Sequence, residues 1–245
     1  APVGYTFRGK MAIQPNNPYE IGMTGLLGQP AAYHSMHDSD LILLLGTDFP
    51  YDKFIPKDTK IVQIDLHPER LGRRAKLSLG ACGDIKNTLT ALFPLLELKT
   101  DSSFLETQLA MHAKTKEKML DVVADKGQED AIQPEYVAHL IDIHADEDSI
   151  FTLDTGMTCV WGARFIRGTG ARKMLGSFNH GSMANAMPMG IGAALAYPNR
   201  QVIALCGDGG LSMLLGDLAT IKQYNIPLKI IVFNNRSLGM VKLEM

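Results

Sequence analysis

Short runs of leucine and β-branched residues, closed by glycine or an acid, recur along the chain and set its expected elements. Leu41-Ile42-Leu43-Leu44-Leu45 and Ile61-Val62-Gln63-Ile64-Asp65 predict two strands in the first part. Ile150-Phe151-Thr152-Leu153-Asp154, Gln201-Val202-Ile203-Ala204-Leu205-Cys206 and Leu228-Lys229-Ile230-Ile231-Val232-Phe233 predict three more in the second. Such runs suit a parallel sheet covered on both faces by helices, so Leu41 to Gly46 is read as a buried strand. After Cys206 the period changes. Leu211, Leu214, Leu215, Leu218 and Ile221 recur at helical spacing, predicting a helix that begins near Leu211 and is broken by Tyr224-Asn225-Ile226-Pro227. Strands alternating with helices, and many glycines at the turns between them, give the α/β class with two doubly wound parallel-sheet domains. A charged segment from Leu98 to Ala131 holds Lys114-Thr115-Lys116-Glu117-Lys118 and Asp125-Lys126-Gly127-Gln128-Glu129-Asp130. It predicts a solvated helix plus a loop at a boundary between domains 1–107 and 108–245.

Composition narrows the classes. The 245 residues suffice for a core without disulfides or a structural metal. Lys and Arg number 24 against 26 Asp and Glu, a formal net charge of −2, which gives no global attraction to nucleic acid. The cysteines Cys82, Cys159 and Cys206 are widely spaced, lie in apolar or Gly-rich surroundings and form no CxxC. They are read as inert buried thiols of a reducing compartment, and the chain as cytoplasmic. No apolar run approaches the roughly 20 residues of a membrane span. Ala1-Pro2-Val3-Gly4 carries no charged start before an apolar stretch, so no signal peptide is expected. Both edges of the chain read as cut, and the expectation is a piece of a longer polypeptide.

The second half builds a site. Gly207-Asp208-Gly209-Gly210 follows one predicted strand, and Asn234-Asn235 follows the next across a right-handed strand-helix-strand unit. Asp208 and Asn235 therefore leave two parallel strands on the same sheet edge, where ligands of open α/β sheets bind. A carboxylate and an amide oxygen are hard ligands suited to Mg²⁺ that keeps phosphate oxygens in its shell. Gly209 and Gly210 let the backbone approach a diphosphate, and the following helix start offers amides to that anion. Asp-Gly and Asn-Asn are also ordinary turn chemistry, so either half of the pattern alone is a turn. Asp154-Thr155-Gly156 ends another strand on this edge and is a candidate third wall.

With residues 210 to 233 between Gly207-Asp208-Gly209 and Asn234-Asn235, the chain resembles the thiamine-diphosphate enzymes. Leu175-Gly176-Ser177-Phe178-Asn179-His180-Gly181-Ser182-Met183-Ala184-Asn185-Ala186-Met187-Pro188 looks like the loop and helix start that hold the cofactor's aminopyrimidine. Met183 stands where that family places an apolar wedge beneath the bent cofactor; plain core filling is the other reading. His180 is open between a substrate or cofactor contact and a satisfied loop histidine.

The first half narrows the resemblance. Asp65 ends a strand about 20 residues after its neighbour ends, a position that suits a nucleotide ribose, although no GxGxxG precedes it. Phe7-Arg8-Gly9-Lys10, Asn17-Pro18-Tyr19, Gly22-Met23-Thr24-Gly25-Leu26, Gly46-Thr47-Asp48-Phe49-Pro50-Tyr51, Gln63-Ile64-Asp65 and Gly83-Asp84-Ile85-Lys86 look like the middle, FAD-binding domain of bacterial pyruvate oxidases, especially the quinone-linked type. That resemblance covers essentially the whole chain. It implies that Thr24, Gly25, Leu26, Leu27, Thr47, Asp48, Phe49, Pro50, Tyr51 and Asp65 contact FAD. It implies Mg²⁺ on Asp208, Asn235 and Ser237, and thiamine diphosphate among Gly181, Ser182, Met183, Asp208, Gly209, Gly210, Asn235, Ser237, Leu238, Gly239, Met240 and Val241.

The implied reaction is decarboxylation of pyruvate, with electrons passing to FAD and then to quinone or oxygen. Acetate is the product with quinone, acetyl phosphate with phosphate and oxygen. Met183, Met240 and Glu244 are the candidate catalytic side chains, Glu244 being equally readable as a solvated helix residue. Met240 replaces a phenylalanine usual in those enzymes. The glutamate that protonates the aminopyrimidine there has no counterpart in this stretch, so the segment alone is expected not to turn over. The resemblance further implies a homo-oligomer, tetrameric in such enzymes, and membrane contact through a tail that this stretch does not include. Two other readings stay open: a carboligase such as acetolactate synthase, and a catalytically silent cofactor-binding segment.

Overall fold

A computed structural model describes residues 1–124 and 131–245, apart from the side chains of Leu243 and Glu244. The loop expected over Asp125 to Asp130 lies outside the described residues. Contacts divide the chain into two units, residues 1–7 with 18–117 and residues 8–17 with 118–245.

The first unit holds strands β1 (Val3–Tyr5), β2 (Glu20–Met23), β3 (Leu41–Leu45), β4 (Lys60–Asp65) and β5 (Leu79–Cys82). β1 pairs with β2, and β3-β4-β5 form a second sheet; every pairing is parallel. Helix α1 (Pro30–Asp38) starts with proline, whose fixed φ and absent N–H suit a first turn. Helix α2 (Ile85–Leu92) is capped by Asp84, whose carboxylate accepts from the Asn87 N–H at 2.9 Å. The first part of α3 (Ser103–Ala124) also lies here. Its exposed face bears out the expected solvated helix, but Gln108 and His112 are buried, at 2% and 5% exposure.

The second unit carries α4 (Pro134–His144), β6 (Ile150–Leu153), α5 (Met157–Phe165), β7 (Lys173–Gly176), α6 (Ala186–Ala196), β8 (Val202–Gly207), α7 (Asp208–Met213), α8 (Leu218–Gln223), β9 (Leu228–Phe233) and α9 (Gly239–Glu244). Its sheet runs β7-β6-β8-β9, all parallel. β6 and most of β8 are buried, the pattern of central strands covered on both faces. Ala193 and Ala194 of α6 pack with Ile150, Val202 and Ile226. Gly190 lets that helix lie close, since a methyl there would sit 2.8 Å from a Leu228 methyl. A fully buried ion pair joins the end of α4 to the start of β7. Arg172 donates to Asp142 Oδ1 at 2.7 Å and to the carbonyls of Asp142, Ala145 and Asp146, so its burial leaves few donors unanswered.

All five expected strands are present, and the structure revises several details. β1, β2, β5 and β7 were not foreseen, being short and lacking a long apolar run. β3 is not buried: Leu41, Leu43 and Leu45 are 49%, 38% and 38% exposed, because nothing among the described residues covers that face of the edge strand. The helix after β8 begins at Asp208, not near Leu211. It breaks at Leu214, whose backbone leaves the helical region, and resumes at Leu218. Cys82 is exposed at the end of β5 rather than buried. Cys206 is buried, and burial pushes the Cys159 and Cys206 thiols up to about 12, which keeps them protonated and inert. No described helix is long and apolar enough to cross a membrane.

Candidate active site

The carboxyl ends of β6, β8 and β9 converge in the second unit. Arg236, held in a left-handed conformation at φ 53°, turns the chain after β9 so that its backbone N–H donates to Asp208 Oδ2 at 2.9 Å. That conformation costs about 1 kcal/mol for a residue with a Cβ, and such strain persists where surrounding contacts fix it. The bond ties the two strand ends together across 28 residues of sequence. Asn235 Oδ1 accepts from the Ser237 N–H at 3.0 Å, which orients the amide within the same turn.

The floor of this site is glycine by necessity at one point. A Cβ on Gly210 would lie 2.2 Å from Asp154 Oδ2. On Gly209 it would meet Met183 Cε at 3.5 Å and Leu238 Cδ2 at 3.6 Å, so these two apolar side chains flank the turn between β8 and α7. Gly207 has nothing within 4 Å of a Cβ position, leaving open space over the strand end. Met183, 36% exposed, is therefore at the rim rather than in the core. Gly181 and Ala184 both take φ 64°, and Gly181 lies against the Thr155 methyl. Arg8 donates to Asn179 Oδ1 at 3.0 Å and so fastens the same loop. His180 and Ser182 are exposed.

Asp154 proves to be a brace and not a wall. It is 2% exposed and accepts from the N–H groups of Ala186 at 2.9 Å and Gly207 at 3.3 Å, linking β6 to α6 and β8. Burial raises its pKa, against the lowering effect of those amides. Met157 was not foreseen: its side chain approaches Gly239 at 2.9 Å from a Cβ position, beside Asn235 Nδ2. Strand-end position was the available signal for Asp154; Met157 has no local sequence signal. Gly239, Met240 and Val241 begin α9, which starts on this edge, with Met240 half-buried. The Glu244 side chain lies outside the described residues.

These donors fit a magnesium diphosphate. No three His, Cys, Asp or Glu side chains cluster among the described residues, so an ion here would rest on Asp208, the Asn235 amide, backbone oxygen near Ser237 and the ligand's own phosphates. That mixed oxygen set is what Mg²⁺ accepts, since it binds few protein carboxylates and retains phosphate or water.

Comparison with known proteins accords with this geometry. Residues 154–245 match the C-terminal TPP binding domain of thiamine pyrophosphate enzymes, and residues 1–92 match their central domain. The chain belongs to the thiamine pyrophosphate enzyme family. Relatives of this thiamine pyrophosphate enzyme segment include YdaP of Bacillus subtilis, provisionally named as thiamine pyrophosphate-containing, 32% identical over all of this chain and 42% of its own length. The acetolactate synthase large subunit of Lactococcus lactis is 31% identical over 98% of the chain and 42% of its length. Pyruvate oxidase of Lactiplantibacillus plantarum is 29% identical over 99% and 40%. The chain thus spans about two fifths of the length of the curated relatives it matches over its whole length.

In the first unit the residues expected at a flavin also gather at strand ends. Gly25, at φ 98°, lies against the rings of Phe49 and Tyr51. Gly25 and Leu26 line a cleft of roughly 350 Å³ with Gln29, Tyr33, His34 and Phe54. Thr24 Oγ1 donates to the Met36 sulfur at 3.1 Å, and Asp48 pairs with Arg73 and Arg74. Asp65 is 2% exposed; its Oδ1 accepts from the His67 N–H at 2.9 Å, and its buried Oδ2 has no protein partner. A buried carboxylate oxygen left unanswered is costly, and a ribose hydroxyl would answer it. The residues present fit a dinucleotide.

Proposed function

We propose that the protein containing this chain decarboxylates pyruvate with thiamine diphosphate and Mg²⁺ and passes the electrons through FAD to a quinone or oxygen. The observation that carries the thiamine part is the Arg236 to Asp208 hydrogen bond, which sets a hard oxygen ligand and the Asn235 turn on one sheet edge beside Met183. Bound thiamine diphosphate would supply an electron sink for the bond to CO₂, and FAD a two-electron acceptor. The chain's own part is placement. Asp208 and Asn235 hold the ion that anchors the diphosphate. Met183 and Leu238 give the cofactor an apolar seat, and Asp154 fixes the strand end beneath it. Asp65 offers its unanswered oxygen to the flavin nucleotide.

A second reading, carboligation of two pyruvates to acetolactate, is favoured by the synthases among the relatives, and it uses the same thiamine seat. One experiment separates them. Anaerobic pyruvate is added to the full-length protein while the flavin spectrum and products are followed. Bleached flavin with acetate supports the oxidase; acetolactate with flavin still oxidised supports the carboligase. No CO₂ release with cofactors bound rejects both.

A further inference from the structure

The carboxyl edge of the β3-β4-β5 sheet carries a thiol that has no part in the proposed chemistry. Cys82 closes β5 and is exposed, whereas Cys159 and Cys206 lie in the second unit with thiols that burial keeps protonated. Asp65 is the register partner of Cys82 on β4, and the Gly83 N–H donates to the Asp65 carbonyl at 2.9 Å, so the pairing holds to the last residue of both strands. Partners in a parallel ladder sit on one face of the sheet, their strands about 4.8 Å apart. Cys82 Sγ donates to the Leu66 carbonyl at 3.5 Å, which draws the thiol toward the chain just past Asp65. A carboxylate and a thiol therefore stand side by side at neighbouring strand ends, on the edge where open α/β sheets take their ligands.

The surroundings make this spot the rim of a seat. Two residues earlier on the same face is Gly80, whose Cβ position would meet the Leu77 side chain at 3.3 Å and that of Leu71 at 3.6 Å. Leu77 packs on the cluster of Phe49, Ile55 and Ile61, so the segment after β4 covers the face as far as Gly80 and leaves it open at Cys82. Beside that opening Asp65 is 2% exposed; Oδ1 accepts from the His67 N–H at 2.9 Å, and Oδ2 is buried with no partner among the described residues. An unanswered buried carboxylate oxygen points to a ligand group that donates to it. With a nucleotide ribose in that role, the thiol one strand away lies within contact of the same nucleoside.

We propose that Cys82 is a modification site on the nucleotide seat: bound dinucleotide shields its thiol, and a low-molecular-weight disulfide that reacts with the flavin-free protein blocks the seat. The reaction is thiol–disulfide exchange. The Cys82 thiol gives its proton to solvent, its sulfur bonds to one sulfur of the disulfide, the old S–S bond breaks, and the other half leaves as a thiolate. The disulfide is the oxidant and is itself reduced; a dithiol reductant reverses the step. The mixed disulfide sets its bulk where the ribose would reach Asp65 Oδ2, so modification and dinucleotide binding exclude each other. The proposal rests on the flavin reading given above.

Glutathione disulfide, added to the full-length protein with and without FAD, tests it, with modified positions located by peptide mass mapping. Cys82 should be modified in the flavin-free protein, and FAD at about ten times its Kd should slow that modification about tenfold, as competition for one state requires. The modified protein should bind FAD at least about tenfold more weakly, the loss expected when a charged hydrogen-bond acceptor is left without its partner, and dithiothreitol should restore the affinity. Equal rates with FAD bound, no modification of Cys82 without it, or unchanged affinity after modification would each overturn the proposal while leaving the flavin reading intact. Failure of the untreated protein to bind FAD would overturn both. In Cys82→Ser, whatever its own affinity, glutathione disulfide should no longer change FAD binding; a loss as large as in the unaltered protein would assign the effect to another thiol. If that variant does not fold, the mapping on the unaltered protein still decides.

Discussion

At the scale of single residues, Asp208 carries the most. Its Oδ2 holds the Arg236 turn in place, and its carboxylate is the acidic ligand that the described residues offer to the proposed ion. Asp208→Ala in the full-length protein is expected to weaken Mg²⁺-dependent thiamine diphosphate binding about a hundredfold, roughly 2.7 kcal/mol, while flavin content stays constant. Titration of the cofactor against the variant checks this, and an unchanged affinity removes Asp208 from the metal site. Asp208 and Asn235 were legible because a strand-helix-strand unit forces two strand ends onto one edge. Asp154 was legible as a strand-end residue on that edge, but its bracing role and Met157 were not, because these arise from contacts with residues far along the chain.

At the scale of elements, buried polar groups set what α4 and α3 tolerate. Arg172 and Asp142, 1% and 2% exposed, tie α4 to β7. Arg172→Met would leave Asp142 buried with Arg167 as its remaining cation, and is expected to cost about 3 kcal/mol. Urea unfolding measures the loss; a cost near zero would mean that Arg167 alone satisfies the carboxylate. In α3, His112 is buried with neither ring nitrogen partnered. Burial lowers its pKa below the ordinary 6.5, helped by Lys116 and opposed by Glu20. Since the folded state keeps it neutral, its contribution is present above pH 6.5 and is lost as pH falls below that value. Amide protection in α3 should therefore drop between pH 7.5 and 5.5 after correction for intrinsic exchange, and His112→Leu should flatten the drop. Equal pH dependence in both proteins would show that another group controls the helix. The run of charges announced an exposed helix here but could not announce the histidine, because the charged residues around it dominate the pattern.

At the scale of the molecule, two parallel-sheet units each present strand-end side chains suited to a phosphate-bearing cofactor. If each unit binds its own cofactor, substitutions should separate cleanly. Asp65→Ala in the full-length protein is expected to lower flavin content at least about tenfold while thiamine diphosphate affinity changes by less than about twofold, an additivity usual for independent sites. Flavin absorbance and cofactor titration on one preparation measure both. Loss of both cofactors together would show instead that Asp65 supports the fold.

Sequence alone determined the five long apolar strands, the α/β class and the placement of Asp208 and Asn235 on one sheet edge, because hydrophobic period and crossover handedness are local rules with few solutions. Tertiary structure decided the strand order, the bare face of β3, the inward turn of Asp154 and the approach of Met183 to Gly209. Those depend on which edges meet and how closely backbones pack, and a linear pattern of apolar and polar residues does not encode either distance.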